Sequence, residues 1–374
     1  MRRGLATGPL RILQLYPKAD FFTGAAIQLR DLAVGLAGRG HEVTVATAPS
    51  PIWSERLAAA GIAHEAIPMR RAWDPHAVAR LARVLRAREI DIVHAQKGRA
   101  RTIALLAGLI GPRPPLVLNR GVSFPLTALS RLGYTTRRVD AIVAVCASIK
   151  RDLVASGVPA DKIEVIYSGT DVERFHPRVS GAAIRRELGL DHHLLITQVG
   201  VRSWRGWREV MEAMTRIAPA LEHARLLFIG APAPRIAELS DHARERGLGG
   251  RVFVLGHRDD VPEILAASDI VVDASWAGLG LTGSLREALA CGRAVIGTDL
   301  AGMPELIRNG HTGLLVPPRD PAALAHAIAK LAADPGWRAE LGRAGRALVE
   351  AQFSLTAKLD ATEALYRRLV TRRS

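Results

Sequence analysis

Cysteine is almost absent from this chain. Two residues in 374, Cys146 and Cys291, cannot build a disulfide framework or a cysteine-rich metal site, and a reduced compartment is the simplest reading. Aromatic residues make up only 5%, and no stretch interleaves them with basic residues. That argues against a groove that stacks single-stranded nucleic acid. Apolar stretches such as Ile103–Ile110 fall well short of the roughly 20 residues a spanning helix needs. The opening MRRGLATGPLRILQLYP carries Arg11 inside its apolar part, so a cleaved signal peptide is not expected. Two nucleotide motifs are missing too. The loop after the first apolar strand, YPKADFFTGAA, holds Gly24 alone rather than GxGxxG, and GxxxxGK[ST] occurs nowhere. A nicotinamide dehydrogenase is disfavoured and a P-loop NTPase excluded.

Positive charge, by contrast, is abundant. Lys plus Arg number 51 against 36 Asp plus Glu, a formal charge of +15. One reading is arginine spent on exposed helix faces; the other is an anionic partner. The distribution leans to the second. Arg70, Arg71, Arg80, Arg83, Arg86, Arg88, Lys97, Arg99 and Arg101 are opposed only by Asp74, Glu89 and Asp91, and Arg367, Arg368, Arg372 and Arg373 crowd the C-terminus. A nucleic-acid partner is not expected, because no motif accompanies the charge and charge alone gives only non-specific, salt-sensitive affinity.

The length and an apolar content of 48% suit two globular domains. Short apolar runs alternate with amphipathic segments throughout. Strands are predicted at Arg11–Leu15, His41–Ala46, Ile90–His94, Leu116–Asn119 and Ala141–Val145. A second series is predicted at Leu194–Val199, Leu226–Gly230, Val252–Leu255, Ile270–Ala274 and Ala294–Thr298. Strict alternation implies α/β architecture: two Rossmann-like, doubly wound parallel sheets facing each other across a cleft. The polar stretch TDVERFHPRVSG separates the two series. The expected domains are 1–175 and 176–374, with a last helix at about 356–370 that packs back on the first.

Ligands of such sheets bind beyond the carboxyl ends of the strands. Three stretches there can carry chemistry. In VGVRSWRGW, Arg202 and Arg205 follow Gly200 into a turn and either clamp a diphosphate or are plain surface arginines. In SWAGLGLTGSLREALACG, Thr282, Gly283, Ser284 and Leu285 open a helix that carries Glu287. Backbone N–H groups there suit a phosphate and Glu287 suits vicinal hydroxyls, yet the Ser284–Glu287 spacing also fits a capping box. In DIVHAQKGRAR, His94, Gln96, Lys97 and Arg99 end a strand and are either an acceptor-side cluster or solvated structure.

Taken in order, these fragments resemble family 4 glycosyltransferases of the GT-B fold. TGAAIQLRDLAVGLAGRGHEVTVAT, DKIEVIYSGTDVERFHP, VGVRSWRGW, VFVLGHRDDVPEILAASDIVVDAS and LREALACGRAVIGTDLAGMPELIRNGHTGLLVPPRDPAAL are each similar to a family stretch at the expected separation. The resemblance implies retaining, metal-independent transfer of a hexosyl group from a nucleotide-sugar, UDP being the commonest base, with no resident cofactor. It implies that Arg202, Arg205 and Glu287 are the catalytic-site set. Gly24, Gly200, Gly256, His257, Arg258, Thr282, Gly283, Ser284 and Leu285 would bind the donor. His94, Gln96, Lys97, Arg99 and Arg120 would lie on the acceptor side. The acceptor would be an anionic glycan or glycolipid of lipopolysaccharide or polysaccharide assembly. The enzyme would be cytoplasmic, or peripheral on the anionic inner face of the membrane.

Four positions depart from the family pattern. Leu279 stands where the family has the first glutamate of its Glu-x7-Glu motif. Gln96 stands in place of a histidine, Ser168 in place of an asparagine and Arg205 in place of a lysine. These departures carry the alternative expectation, a weak or inactive relative that binds nucleotide or glycan as an assembly partner.

Overall fold

The computed structural model describes residues 8–123, 125–278 and 280–373. Leu279 therefore lies outside the described residues. The chain divides into two compact units, Met1–Gly169 with Leu355–Ser374, and Thr170–Ser354. The division after Gly169 precedes the boundary expected at 175. The last helix, Leu355–Thr371, belongs to the first unit.

The first unit holds a seven-stranded sheet. Its strands are β1 (Arg11–Tyr16), β2 (Glu42–Thr47), β3 (Ala63–Ala66), β4 (Ile92–Gln96), β5 (Leu116–Arg120), β6 (Ala141–Ala144) and β7 (Ile163–Val165). The order is β3-β2-β1-β4-β5-β6-β7, parallel throughout. The second unit holds six strands, β8 (Leu194–Val199), β9 (Ala224–Ile229), β10 (Val252–Val254), β11 (Ile270–Asp273), β12 (Ala294–Thr298) and β13 (Leu314–Val316). They are parallel in the order β10-β9-β8-β11-β12-β13. Each sheet reverses its winding beside its first strand, between β1 and β4 and between β8 and β11. Such switch points open a crevice at the carboxyl ends of the strands.

Burial follows from the sequence pattern. Central strands such as β4, β6 and β12 are buried along their whole length, as parallel strands covered on both faces require. Trp53 anchors the core of the first unit and Trp207 that of the second, each almost wholly removed from water. Burial of that size contributes about 25 cal/mol per Å² of apolar surface. The final helix closes the first unit against the helix Gly24–Gly38. A Cβ on Gly35 would come within 2.5 Å of Leu359 Cδ1, so glycine there sets the closeness of the two helices. Gln14, fully buried in β1, is satisfied by donating its Nε2 to the Tyr366 hydroxyl at 3.0 Å.

Candidate functional site

In the second unit three glycines lie side by side at the carboxyl edge. Gly200 follows β8, and its N–H donates to the Ile229 carbonyl at 2.7 Å. Gly230 follows β9, and its N–H donates to the Gly256 carbonyl at 2.9 Å. A Cβ on Gly230 would lie 3.8 Å from the Gly200 Cα. Backbone without side chains therefore floors this part of the crevice, and a ligand can approach it closely. Gly230 was not singled out by the motif reading, since the segment IGAP has no phosphate-loop signature.

The turn after Gly200 separates the two arginines. Arg202 is exposed and meets no carboxylate among the described residues. Arg205 is committed to the protein instead. Its Nη1 donates to the Val199 carbonyl at 2.8 Å and to Asp273 Oδ2 at 3.1 Å, and the Asp273 side chain is only 1% exposed. Arg205 thus ties β8 to β11 while its guanidinium stays beside Gly200, where a Cβ would stand 3.2 Å from Nη1. Gly206 lets the turn dock there. Its φ is +67°, and a Cβ would stand 2.0 Å from the Ala274 carbonyl oxygen.

The helix Gly283–Ala290 begins with Thr282 as its N-cap residue. This excludes the capping box that the Ser284–Glu287 spacing also fitted. Ser284 lies inside the first turn and cannot cap, and its buried Oγ meets no hydrogen-bond partner. The Thr282 hydroxyl turns away to Met303 Sδ at 3.6 Å. The N–H groups of the first turn have no acceptor within the helix, and the helix dipole adds partial positive charge. The carboxylate of Glu287 stands beside this turn; a Cβ on Gly283 would lie 3.8 Å from Glu287 Oε1 and 3.7 Å from Arg286 Nη2. Arg286, 3% exposed, is anchored through Nη1 on the Thr170 hydroxyl at 3.2 Å. It places a guanidinium next to Gly283. Sequence reasoning passed over Arg286 because an arginine in an arginine-rich chain carries no signal by itself.

The base-side candidates divide. His257 is exposed, with Nε2 3.3 Å from Asp259 Oδ1. Arg258 forks onto Glu187 at 2.8 and 2.9 Å and onto Asp260 at 2.8 and 2.6 Å. The Asp260 bond, then the Glu187 bond, holds its guanidinium above the ordinary arginine range. Its side chain is a brace between helices, not a free base contact. On the other flank, Arg319, in the left-handed region with φ +59°, stacks on the Trp276 ring at 4.1 Å from the centroid.

The first unit presents a different surface. Thr23 caps the helix Gly24–Gly38 by accepting from the Ala26 N–H at 3.4 Å. A Cβ on Gly24 would meet nothing within 4 Å, so the unit itself does not demand glycine there. Lys97 precedes the next helix with φ +77°, a conformation that costs a non-glycine residue about 1–3 kcal/mol. Its Nζ lies 5.7 Å from the centroid of the Tyr16 ring. Burial, then the charge of Lys18, pushes its pKa down, while Asp20 opposes them. The Tyr16 hydroxyl bonds Asp20 and, at 3.2 Å, Thr23.

Two acceptor-side candidates are interior instead. His94 is 2% exposed and Gln96 6%. The Tyr366 hydroxyl, which accepts from Gln14 Nε2, is also hydrogen-bonded to His94 Nδ1 at 2.6 Å. Burial, helped by the charge of Lys358, pushes the His94 pKa down to about 3. Gln96 donates to Gln14 Oε1 at 3.3 Å. These residues line a cavity of about 30 Å³, room for one water, rather than an acceptor surface. Arg99 is exposed but donates to the Met69 carbonyl at 2.8 Å. Arg120 is half-buried, 5.9 Å from the centroid of Tyr134. Among the described residues no three of His, Cys, Asp or Glu stand close enough to hold a metal ion. Among the described residues no helix is long and apolar enough to cross a membrane.

Comparison with known proteins assigns one family model to each series of strands. Residues 22–174 match Glycosyltransferase Family 4, and residues 193–334 match Glycosyl transferases group 1. The chain is 26% identical to the N-acetyl-alpha-D-glucosaminyl L-malate synthase of Bacillus anthracis over 362 residues, covering 92% of this chain and 93% of that one. It is 28% identical to a lipopolysaccharide core biosynthesis mannosyltransferase of Rhizobium meliloti over 246 residues, covering 63% and 68%. Its structure superposes with a TM-score of 0.84 on an Anabaena protein crystallised in complex with UDP, at 22% identity over 95% of this chain and 99% of that one. Two parallel Rossmann-like sheets, a family model on each half and relatives aligned along nearly the whole length lead to one conclusion: the chain belongs to the family 4 (group 1) glycosyltransferases of the GT-B fold.

Proposed function

We propose that this glycosyltransferase moves a hexosyl group, with retention of configuration and without a metal, from a nucleoside-diphosphate sugar held by the second unit. The observation that carries the reading is the start of the helix Gly283–Ala290. Its first turn offers N–H groups without helical acceptors and a buried, unpartnered Ser284 hydroxyl, with Arg286 and Glu287 beside Gly283, while the exposed Arg202 follows Gly200 at the same carboxyl edge of the sheet. Helix N–H groups and guanidiniums oriented before binding neutralise a departing diphosphate without reorganisation. Glu287 accepts hydrogen bonds from the ribose hydroxyls. Gly200, Gly230 and Gly256 let the nucleoside lie against backbone. In a front-side displacement the bond from the anomeric carbon to the phosphate oxygen breaks. The acceptor oxygen bonds the same face, and its proton passes to the departing phosphate. No protein carboxylate is needed as nucleophile, which accommodates Leu279.

UDP is the favoured base, in line with the UDP seen in the Anabaena protein. A lipid-linked or glycan acceptor of lipopolysaccharide or polysaccharide assembly is favoured by the mannosyltransferase relative. Lys97, strained and partly desolvated, is the acceptor-side residue of choice in the first unit, where it meets an anionic acceptor. The same unit suits an anionic membrane surface. Arg80, Arg83 and Arg86 are exposed along one helix, and Leu109 and Ile110 are 50% and 58% exposed on another. Each basic residue near such a surface is worth about 1 kcal/mol.

Turnover of UDP-, GDP- and ADP-sugars on acceptor-bearing anionic vesicles tests the proposal. One donor releases its diphosphate in the presence of EDTA, the product keeps the donor's anomeric configuration, and the rate falls with added salt. Arg202→Ala and Glu287→Ala each lower turnover about 100-fold or more. Inversion, a requirement for metal, or equal rates on neutral vesicles would remove the corresponding part. Diphosphate binding with no turnover of any donor would favour the non-catalytic reading instead, for which the interior positions of His94 and Gln96 speak.

A further inference from the structure

At the opposite, amino-terminal edge of the second sheet lies a pocket of about 420 Å³, in the size range of small-molecule sites. Its charged lining is four arginines and one aspartate: Arg293, Arg338, Arg343, Arg346 and Asp269. Pro335, Arg338, Ala339, Arg343 and Arg346 come from one face of the helix Pro335–Leu348, recurring at three- to four-residue spacing. Arg293 comes from the turn that leads into β12. Helix and turn are locked together. A Cβ on Gly342 would stand 2.1 Å from the Gly292 carbonyl oxygen, and Gly292 takes φ +70°.

The charges do not cancel within the pocket. Asp269 Oδ2 is already taken by Arg185 Nη2 and the Leu195 N–H, both at 2.8 Å. Arg346 has only 10% of its side chain exposed. It donates to the carbonyls of Val172, Phe175 and Ala290 at 3.0, 2.7 and 2.6 Å and pairs with Glu350. Arg338 donates to the Leu331 and Ala332 carbonyls at 2.6 and 3.1 Å. It meets no carboxylate among the described residues. Arg293 donates only to the Cys291 carbonyl, at 3.3 Å, and Arg343 is exposed without an acceptor among the described residues. Arg293, Arg338 and Arg343 therefore line a concave space without an ion pair among the described residues, and three of the four arginines donate to backbone carbonyls. Cys291 adds nothing reactive, because burial pushes its thiol up to about 12.

We propose that this pocket is a second ligand site of the second unit, which binds a phosphate-bearing metabolite of sugar-phosphate size through Arg293, Arg338 and Arg343. Guanidinium forks match phosphate oxygens two at a time, and groups fixed before binding lose little entropy when the ligand arrives. The volume exceeds what inorganic phosphate fills and leaves room for an organic part. The site is distinct from the proposed donor site. The eight-residue helix Gly283–Ala290 lies between the two, and at about 1.5 Å per residue it holds them roughly 12 Å apart.

Calorimetric titration of the full chain with glucose 1-phosphate, inorganic phosphate and glucose tests this, with hydrogen exchange to locate the ligand. Glucose 1-phosphate binds with a Kd below about 1 mM, glucose does not bind, and inorganic phosphate binds more weakly. The double variant Arg293→Ala/Arg343→Ala, checked for folding by its thermal midpoint, binds glucose 1-phosphate at least about tenfold more weakly. Protection appears in 290–294 and 335–346 of the wild type. The proposal is overturned by absent binding, by equal affinity in the variant, by inorganic phosphate binding as tightly as the sugar phosphate, or by protection confined to 282–287. That last pattern would still leave the donor site standing, and failure of the donor site leaves this one untouched.

Discussion

The two units share a plan but finish it differently at the carboxyl edge of the sheet. In the second unit the edge is backbone. Gly200, Gly206 and Gly230 all take positive φ, and the helix Gly283–Ala290 presents its first turn without a capping side chain. In the first unit the edge is side chain. Tyr16, Asp20, Thr23 and Lys97 crowd the switch point, Thr23 caps its helix, and Gly24 is under no steric demand. Backbone N–H groups at close approach suit a phosphate, which every nucleotide-sugar carries. Side chains suit recognition that must differ from one acceptor to another. On the proposed function, the second unit supplies a general donor surface and the first an adaptable acceptor surface.

Matched glycine substitutions break this contrast most sharply. Gly206→Ala forces a Cβ to within 2.0 Å of the Ala274 carbonyl oxygen at φ +67°. It should destabilise the second unit by at least about 2 kcal/mol in urea unfolding. Gly24→Ala should leave the first unit within about 0.5 kcal/mol of wild type. Similar losses in both variants would show that the two edges are under the same constraint.

A smaller effect separates the interior of the first unit from its surface. The folded pKa of His94 is lowered from 6.5 to about 3. The unfolded chain therefore takes up a proton there first as pH falls. The stability associated with a neutral His94 is complete above pH 6.5 and is lost as pH drops toward 3, at roughly 1.4 kcal/mol per unit. Comparison of wild type with His94→Gln between pH 6.5 and 5 should show a shallower loss in the variant. Parallel curves would place His94 in contact with solvent and return it to the acceptor surface.

The sequence made the central strands legible because parallel strands buried on both faces are continuous apolar runs. It did not reveal β3, β7 and β13. AHEA, IEV and LLV are three or four residues long and lie at sheet edges, where one side is open and no long run is required. The glycine-rich loop before the helix Gly283–Ala290 was legible through glycine spacing and helix-start chemistry. What those residues touch was not. The arginine beside Gly206 is claimed by Asp273, 68 positions away. His94 is claimed by Tyr366, 272 positions away on a helix that the linear order would assign to the other domain. Local spacing identifies which side chains reach a strand end; only tertiary packing decides which of them are already engaged.

The most direct test of a donor site on the second unit is calorimetric titration of wild type and Glu287→Ala with UDP, GDP and ADP. One diphosphate should bind the wild type with a Kd near about 10 μM and lose about 100-fold or more in the variant. No binding by any of the three, or equal binding by the variant, would contradict the account.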